Sequence, residues 1–446
     1  MSLAVTVRPY QNYVYAYPHK TAYRPLQPRP SLQKLWASEP KDALSLYLHI
    51  PFCEVRCGFC NLFTRIGAPG EMTTAYLDAL ERQARVVSDA VGDGTHYDAV
   101  AFGGGTPTFL DASELDRLCD IAELRMGADL SSVPFSVEAS PSTVTADRMS
   151  VLASRGTTRL SLGVQSFIDS EARAAARPQK RADVDAALGR IRDARIPVLN
   201  IDLIYGIDGQ TEQTWRQSLD AALAWEPEEL YLYPLYVRAL TGLGKKTAVT
   251  ESDAEWDERR LRLYRFGRDY LEQAGYRQVS MRMFQREGAV IDGAADYACQ
   301  TDGMIGLGCG ARSYTADLHY SFDYAVDMRE IRGIIDTFIA RPADEFAYAE
   351  VGRFMTPDET RRRHLVQSVL QAEGMDLSDY LARFGTLPTD DFPEELKAFE
   401  AAGWLAGDLQ SDRLKLSPEG LAHSDAIGPA LFSASVHRDM AEYEAK

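Results

Sequence analysis

Three cysteines crowd into the string HIPFCEVRCGFC, at Cys53, Cys57 and Cys60, while Cys119, Cys299 and Cys309 are scattered through the rest of the chain. Disulfides among the three would close very short loops, whereas three reduced thiolates converging on one soft-metal site suit a reducing compartment. A Cys-x3-Cys-x2-Cys loop is short enough to wrap a cube of iron and sulfur. Three thiolates ligate three of the four irons in such a cube, which leaves one iron open to a small molecule. The competing reading is a zinc site short of its fourth ligand, although zinc sites usually pair one Cys-x2-Cys with a second, which is missing here.

A second string, FGGGTPT (102–108), places Gly103, Gly104, Gly105 and Thr106 at the end of a predicted strand and just before a helix. Glycines there let a backbone approach a ligand closely, and exposed backbone groups can hydrogen-bond it. Polar residues then close later apolar strands: Glu138 in FSVEASP, Gln165 in RLSLGVQSF and Asp202 in NIDLIYG, with Arg177 in AARPQ nearby. A charge ending an apolar strand is costly to bury unpaired, so each either satisfies a neighbour or meets a ligand. Carboxylates suit ribose hydroxyls and an arginine suits a carboxylate.

The elements that must position these residues are short apolar runs near 45–50, 97–102, 133–138, 158–163, 197–203 and 229–234. They alternate with amphipathic stretches near 73–91, 111–124, 145–155, 181–194 and 211–224. This is the signal of repeated βα units around a parallel sheet, with reactive groups on the rim at the carboxyl ends of the strands. The predicted organisation is a tyrosine- and proline-rich arm (1–43), a partial (β/α)6 TIM-like barrel (44–240), an extension over the barrel mouth (241–350) with a helix at 253–274, a strand at 276–284 and a Gly-rich stretch at 304–315, and a small helical or winged-helix domain (351–446) opening on a helix capped by Thr356. With 48 Lys and Arg against 65 Asp and Glu, a net charge of −17 repels phosphate backbones and anionic lipid, which argues against nucleic acid as a partner. No apolar run approaches the roughly 20 residues of a membrane span, and the first residues lack the order of a secretory signal, so the expected location is the cytoplasm.

The cysteine string, with Phe59 before its last cysteine, resembles the radical S-adenosylmethionine (SAM) signature. YLHIPFC, FGGGTPT, LSLGVQSF and NIDLIYG, in that order, are similar to the oxygen-independent coproporphyrinogen III oxidase (dehydrogenase) family within that superfamily, strongly over 45–235 and more weakly beyond. The resemblance implies a [4Fe–4S] cluster on Cys53, Cys57 and Cys60, and SAM, one molecule and in some relatives two. SAM would be split into methionine and a 5′-deoxyadenosyl radical that takes hydrogen from a small or medium organic substrate. It further implies a flavodoxin, ferredoxin or reductase as electron donor, and places Tyr47, Phe59, Gly103, Gly104, Gly105, Thr106, Glu138, Gln165, Arg177 and Asp202 near cluster or SAM. The family also includes class C methyltransferases and cyclopropanases, which use a second SAM, and haem-binding chaperones. The arm string YVYAYPHKTAYRPL (13–26) is similar in placement to the arm of the oxidases, which chaperones generally lack. Two strings depart from the family: NLFT follows Cys60, and MRMFQRE stands at 281–287, which leaves substrate identity open. His49 and Cys309 are further candidates, against the plain alternatives of a strand-edge partner and a small buried hydrophobe.

Overall fold

The inner and outer faces of the barrel are written into the period-two pattern of its strands. In β2 (Leu44–Ile50), which follows the short arm strand β1 (Arg24–Pro25), Leu44, Leu46, Leu48 and Ile50 are buried. They join Tyr76, Leu77, Leu80 and Ala84 of the helix Gly70–Val91 in one core. Tyr47 and His49, at the alternate positions, face inward onto a cavity. The structure, a computed structural model, describes residues 8–14, 16–238, 240–245, 252–289, 303–407 and 412–444. Cys299 and Tyr15, together with the first seven residues of the arm, lie outside the described residues.

A small parallel pair, β3 (Phe52–Cys53) and β4 (Arg65–Ile66), brackets the cysteine loop. Next come the remaining barrel strands β5 (Tyr97–Gly104), β6 (Phe135–Ala139), β7 (Arg159–Gln165), β8 (Val198–Tyr205) and β9 (Glu229–Pro234). With β2 they form six parallel strands in sequence order, as predicted. The crossover helices Ala112–Asp120, Ala146–Ser154, Arg181–Asp193 and Glu212–Leu223 also fall where the amphipathic stretches place them.

The sheet does not stop at six strands. The run expected as one strand at 276–284 is a hairpin of β10 (Tyr276–Gln278) and β11 (Met283–Arg286), and β11 adds antiparallel to β9. On the other side, the Gly-rich stretch forms β12 (Met304–Leu307), parallel to β2, and β13 (Arg312–Tyr314), followed by β14 (Leu318–Ser321) and β15 (Val351–Phe354). The segment expected over the mouth thus widens the sheet at both edges, while Arg282, Met283, Arg312 and Tyr314 line the cavity.

From Pro357 onward, helices gather around a second core that includes Leu365, Val369, Tyr380, Phe392, Leu396 and Ile427. Thr356 caps the first of these helices, its hydroxyl accepting from the Glu359 amide at 3.3 Å, and a two-stranded ribbon pairs Met375–Asp376 with Arg413–Leu414. The arm is no loose tail. Its β1 pairs with β15, and Tyr10, Tyr17 and Trp36 are buried. The arm also docks on the C-terminal helices, where Tyr17 donates to Glu359 and the Ser433 amide donates to the Tyr17 hydroxyl at 3.3 Å. Among the described residues no helix is long and apolar enough to cross a membrane.

Candidate functional site

One cavity of about 1920 Å³ occupies the barrel mouth, and Cys53, Cys57 and Cys60 all line it. The loop that carries them is tied down on several sides. The Cys60 amide donates to the Cys57 carbonyl at 3.1 Å, and the Gly58 amide to the Ala175 carbonyl at 3.1 Å. The Leu243 amide donates back to Gly58 at 2.7 Å. Phe59 packs beside Ile204, Ile207 and Leu235 at the cavity edge. Arg177 donates to Cys57 Sγ at 3.0 Å and to Gln179 Oε1 at 2.6 Å, so its guanidinium braces the cysteine loop.

The donor set fits the implied cluster. Burial pushes the Cys53 thiol up to about 12 and raises Cys60 as well; the charges of Cys60 and Cys57 add to the rise at Cys53, and that of Cys57 to the rise at Cys60. Thiols raised in this way become thiolates together only when a cationic centre compensates them. Among the described residues no three His, Cys, Asp or Glu side chains close around a single ion. The remaining described cysteines take no part. Cys119 is fully buried in the core, and buried Cys309 donates to the Tyr76 hydroxyl at 3.8 Å.

The glycine loop seals the other side of the cysteines. Gly104 has φ +114°, and a Cβ there would stand 2.5 Å from the His49 ring. A Cβ on Gly105 would meet the Phe52 carbonyl at 2.7 Å and Cys53 Sγ at 3.1 Å, so the loop and the cysteine strand close up only because both positions are glycine. The sequence suggested free backbone groups here, but the amides are consumed inside the protein. Gly104 donates to Glu138 at 3.0 Å, Gly105 to Ile50 at 2.8 Å and Thr106 to Phe52 at 2.8 Å. What the loop can offer a ligand is therefore acceptors, which suits a cationic amine. Gly103 does not line the cavity; it lies behind, against the Tyr47 ring and the Glu138 carboxyl. The Thr106 hydroxyl lies 3.4 Å from Cys53 Sγ.

Tyr47, Glu138, Gln165, Arg177 and Asp202 are brought together on the cavity wall. Glu138 is open to the cavity, yet protein encloses that space. Loss of bulk water pushes its carboxyl up to about 7 despite the Gly104 amide, and the charge of Asp202 adds to the rise. Asp202 is itself raised by burial, against hydrogen bonds from Asn200 at 2.8 Å and Ser161 at 3.2 Å. Gln165 holds a left-handed φ of +69° at a bulge in β7, an uncommon conformation for a residue with a side chain. His49 is buried and held down to about 4, hence neutral. Its Nε2–H donates to the Phe63 carbonyl at 3.4 Å, and its Nδ1 accepts from the Tyr47 hydroxyl at 3.2 Å.

Sequence reasoning picked strand ends and missed what lies deeper. Arg159, Ser161, Asn200, Glu229, Tyr231 and Tyr233 also line the cavity, on the inward parity of β7, β8 and β9. Arg159 donates to Glu229 at 2.7 Å and to Ser136 at 3.1 Å, and its charge acts on both Glu138 and Asp202. The signal was available, because parallel strands buried on both faces read as continuous apolar runs, whereas these alternate.

Comparison with known proteins agrees with this geometry. Residues 47–222 match the radical SAM superfamily. The oxygen-independent coproporphyrinogen III oxidase of Escherichia coli (strain K12) is 28% identical over 375 residues, 81% of this chain and 79% of that protein. The Heme chaperone HemW of Bacillus subtilis (strain 168) is 26% identical over 363 residues, 81% of this chain and 92% of that protein. The solved coproporphyrinogen III oxidase from Escherichia coli superposes with a TM-score of 0.79 at 24% identity, covering 94% of this chain and 96% of that one, which establishes the fold. The chain carries a radical SAM superfamily domain over residues 47–222 and is homologous to the oxygen-independent coproporphyrinogen III oxidases.

Proposed function

We propose that this protein is an oxidoreductase of the coproporphyrinogen III oxidase type, working in the cytosol with a small redox protein as electron donor. In this reading Cys53, Cys57 and Cys60 hold a [4Fe–4S] cluster, and the rim formed by Tyr47, Phe59, Gly104, Gly105, Thr106, Glu138, Gln165, Arg177 and Asp202 holds SAM. When bound, cluster and SAM supply the 5′-deoxyadenosyl radical that abstracts hydrogen from the substrate.

The observation that carries this reading is the arm. Asn12, Tyr13, Tyr17, His19 and Lys20 line the same cavity as the cysteines, so a cluster, SAM and a substrate would share one chamber. A reactive radical requires exclusion of water, and the arm would contribute to it, docked by Tyr10 on Tyr205 (3.3 Å between hydroxyls) and by Tyr17 on Glu359. Glu138 and Asp202, two like charges in one enclosed space, are relieved by a cationic ligand, and SAM carries both a sulfonium and an ammonium. Arg177 orients the Cys57 side of the loop.

A haem-carrying role is the second reading, favoured by the extent to which the chain spans the Bacillus subtilis chaperone. The test is anaerobic reconstitution, reduction with dithionite, and mass spectrometry of SAM products with and without coproporphyrinogen III. Formation of 5′-deoxyadenosine with loss of carbon dioxide from the porphyrinogen supports the oxidase. S-adenosylhomocysteine would instead indicate methyl transfer with a second SAM, and tight haem uptake without SAM cleavage would indicate the chaperone.

A further inference from the structure

A barrel of parallel strands ordinarily fills its interior with bulky apolar side chains. Here four adjacent strands present a polar row instead. Glu138, Ser161, Asn200 and Glu229 stand directly opposite one another across β6, β7, β8 and β9, with Ser136 and Arg159 paired one inward position below and Asp202 one above. All of them line the chamber. Hydrogen bonds divide the row into two groups. Asn200 donates to Ser161 at 2.7 Å and to Asp202 at 2.8 Å, and Ser161 donates to Asp202 at 3.2 Å. Below them, Arg159 donates to one Glu229 oxygen at 2.7 Å and to Ser136 at 3.1 Å, while Gln285 donates to the other Glu229 oxygen at 3.4 Å. Glu229 is fully buried, and the centre of the Tyr231 ring lies 5.7 Å from the guanidinium, so Arg159 is held on three sides.

The register sets Arg159 one strand and two residues away from Glu138, a backbone separation of roughly 8 Å. A fixed cation at this range favours the ionised form of a carboxylate. We propose that Arg159 is a positioning residue, a counter-charge fixed by Glu229 beneath Glu138 and Asp202 that keeps both carboxylates ready for a cationic ligand at neutral pH. Burial raises both carboxyls, and Arg159 is among the groups that lower them. Asp202 is the like charge acting on Glu138, and the Gly104 amide of β5 donates to it. From β2, His49 is held down to about 4 and is neutral, accepting from the Tyr47 hydroxyl. Tyr231 and Tyr233 of β9 are pushed up by burial, and Arg177 is engaged with Cys57 and Gln179. This role of Arg159 rests on the SAM reading of the rim for the identity of the ligand, and its first test needs no SAM.

The experiment follows the carboxyl stretch of protonated Glu138 by infrared spectroscopy of the purified full-length protein across neutral pH. Each spectrum is read as a difference from the same protein carrying Glu138→Gln. In the wild type the signal should fade through about pH 7. Arg159→Gln combined with Glu229→Gln removes both charges and strands neither, and should move the fade upward by about one pH unit. Glu229→Gln alone leaves the cation unneutralised and should move it downward. A packing role alone would shift the two in one direction or not at all. Arg159→Lys keeps the charge and should fade near the wild-type pH, and it takes the place of Glu229→Gln should that variant not fold. A double variant that titrates like the wild type, or one accompanied in the same direction by the charge-retaining variant, overturns the counter-charge. Calorimetric titration with SAM on the reconstituted protein should show the rise of affinity with pH displaced in the same sense. Failure of SAM to bind would overturn the reading of the rim and leave the infrared result standing.

Discussion

The two sides of the chamber are built in opposite ways. The cysteine side is assembled from consecutive βα units: Tyr47, Gly104, Glu138, Gln165 and Asp202 lie on β2, β5, β6, β7 and β8, whose backbones pair in that order. The arm side is assembled from segments far apart in sequence: the arm, Arg238, Arg282, Arg312 and the helices around Asp425. Buried side-chain pairs join these segments. Arg282 pairs with Asp425 and sits 3.9 Å from the Tyr13 ring, and Tyr236 donates to Asp425 at 2.6 Å. In the proposed reading, the rigid scaffold would serve the cofactor chemistry and the lid of convergent side chains would serve the substrate.

The comparison breaks most sharply at the cysteines. Cys57→Ala should abolish bound iron, acid-labile sulfide and SAM cleavage, whereas Cys119→Ala should leave all three and cost only about 1 kcal/mol of stability as a small core truncation. Equal loss in both variants would show that the cysteine side is not the cluster site. Next comes Gly104→Ala. With a positive φ and the His49 ring in the way, it should lower SAM affinity about a hundredfold or leave the barrel misfolded, at about 3 kcal/mol, checked by calorimetric titration and thermal melts.

On the arm side the expected effects are smaller. Tyr17→Phe removes the hydroxyl shared by Glu359 and Ser433. It should loosen the arm by about 1–2 kcal/mol, seen as faster proteolysis of residues 8–36 and more SAM cleavage without product, while iron content stays at the wild-type level. The mildest effect is one of pH. Glu138 has a folded pKa near 7, above its ordinary value, so the folded protein favours its protonated form. Its contribution to the stability of the free protein is full at low pH and declines as pH rises through about 7. SAM affinity should move the other way, increasing across the same window as the carboxylate forms. That rise should vanish in Glu138→Gln, and a pH profile retained in that variant would assign the titration to another group.

The same contrast explains what was legible in the sequence. LSLYLHI, FSVEASP and NIDLIYG each carry strand, parity and functional residue within a few positions, so the six strands and the residues at their ends could be read locally. Lys20, Arg238 and Arg312 carry no shared string, since only the pairing of β12 with β2 and the docking of the arm bring them together. The hairpin at 276–286 was hidden for a related reason. Gln278 and Met283 belong to antiparallel strands that turn through Val279–Arg282, and the turn contains no Gly or Pro to mark it. The burial of Tyr10 and Tyr17 likewise depends on partners at Tyr205 and Glu359 that the arm's composition does not reveal.

Closure of the chamber has a consequence for biosynthesis. Tyr17 and the Asn12 amide find partners at Glu359, Ser433 and Asp425, so the lid lacks its C-terminal anchors while those residues are still inside the ribosome. The barrel up to β9 can form by then with the cysteine loop uncovered. Delivery of iron and sulfide therefore has a window during translation that ends when the last helices emerge, and a nascent chain stalled before Glu359 should accept metal more readily than the released protein.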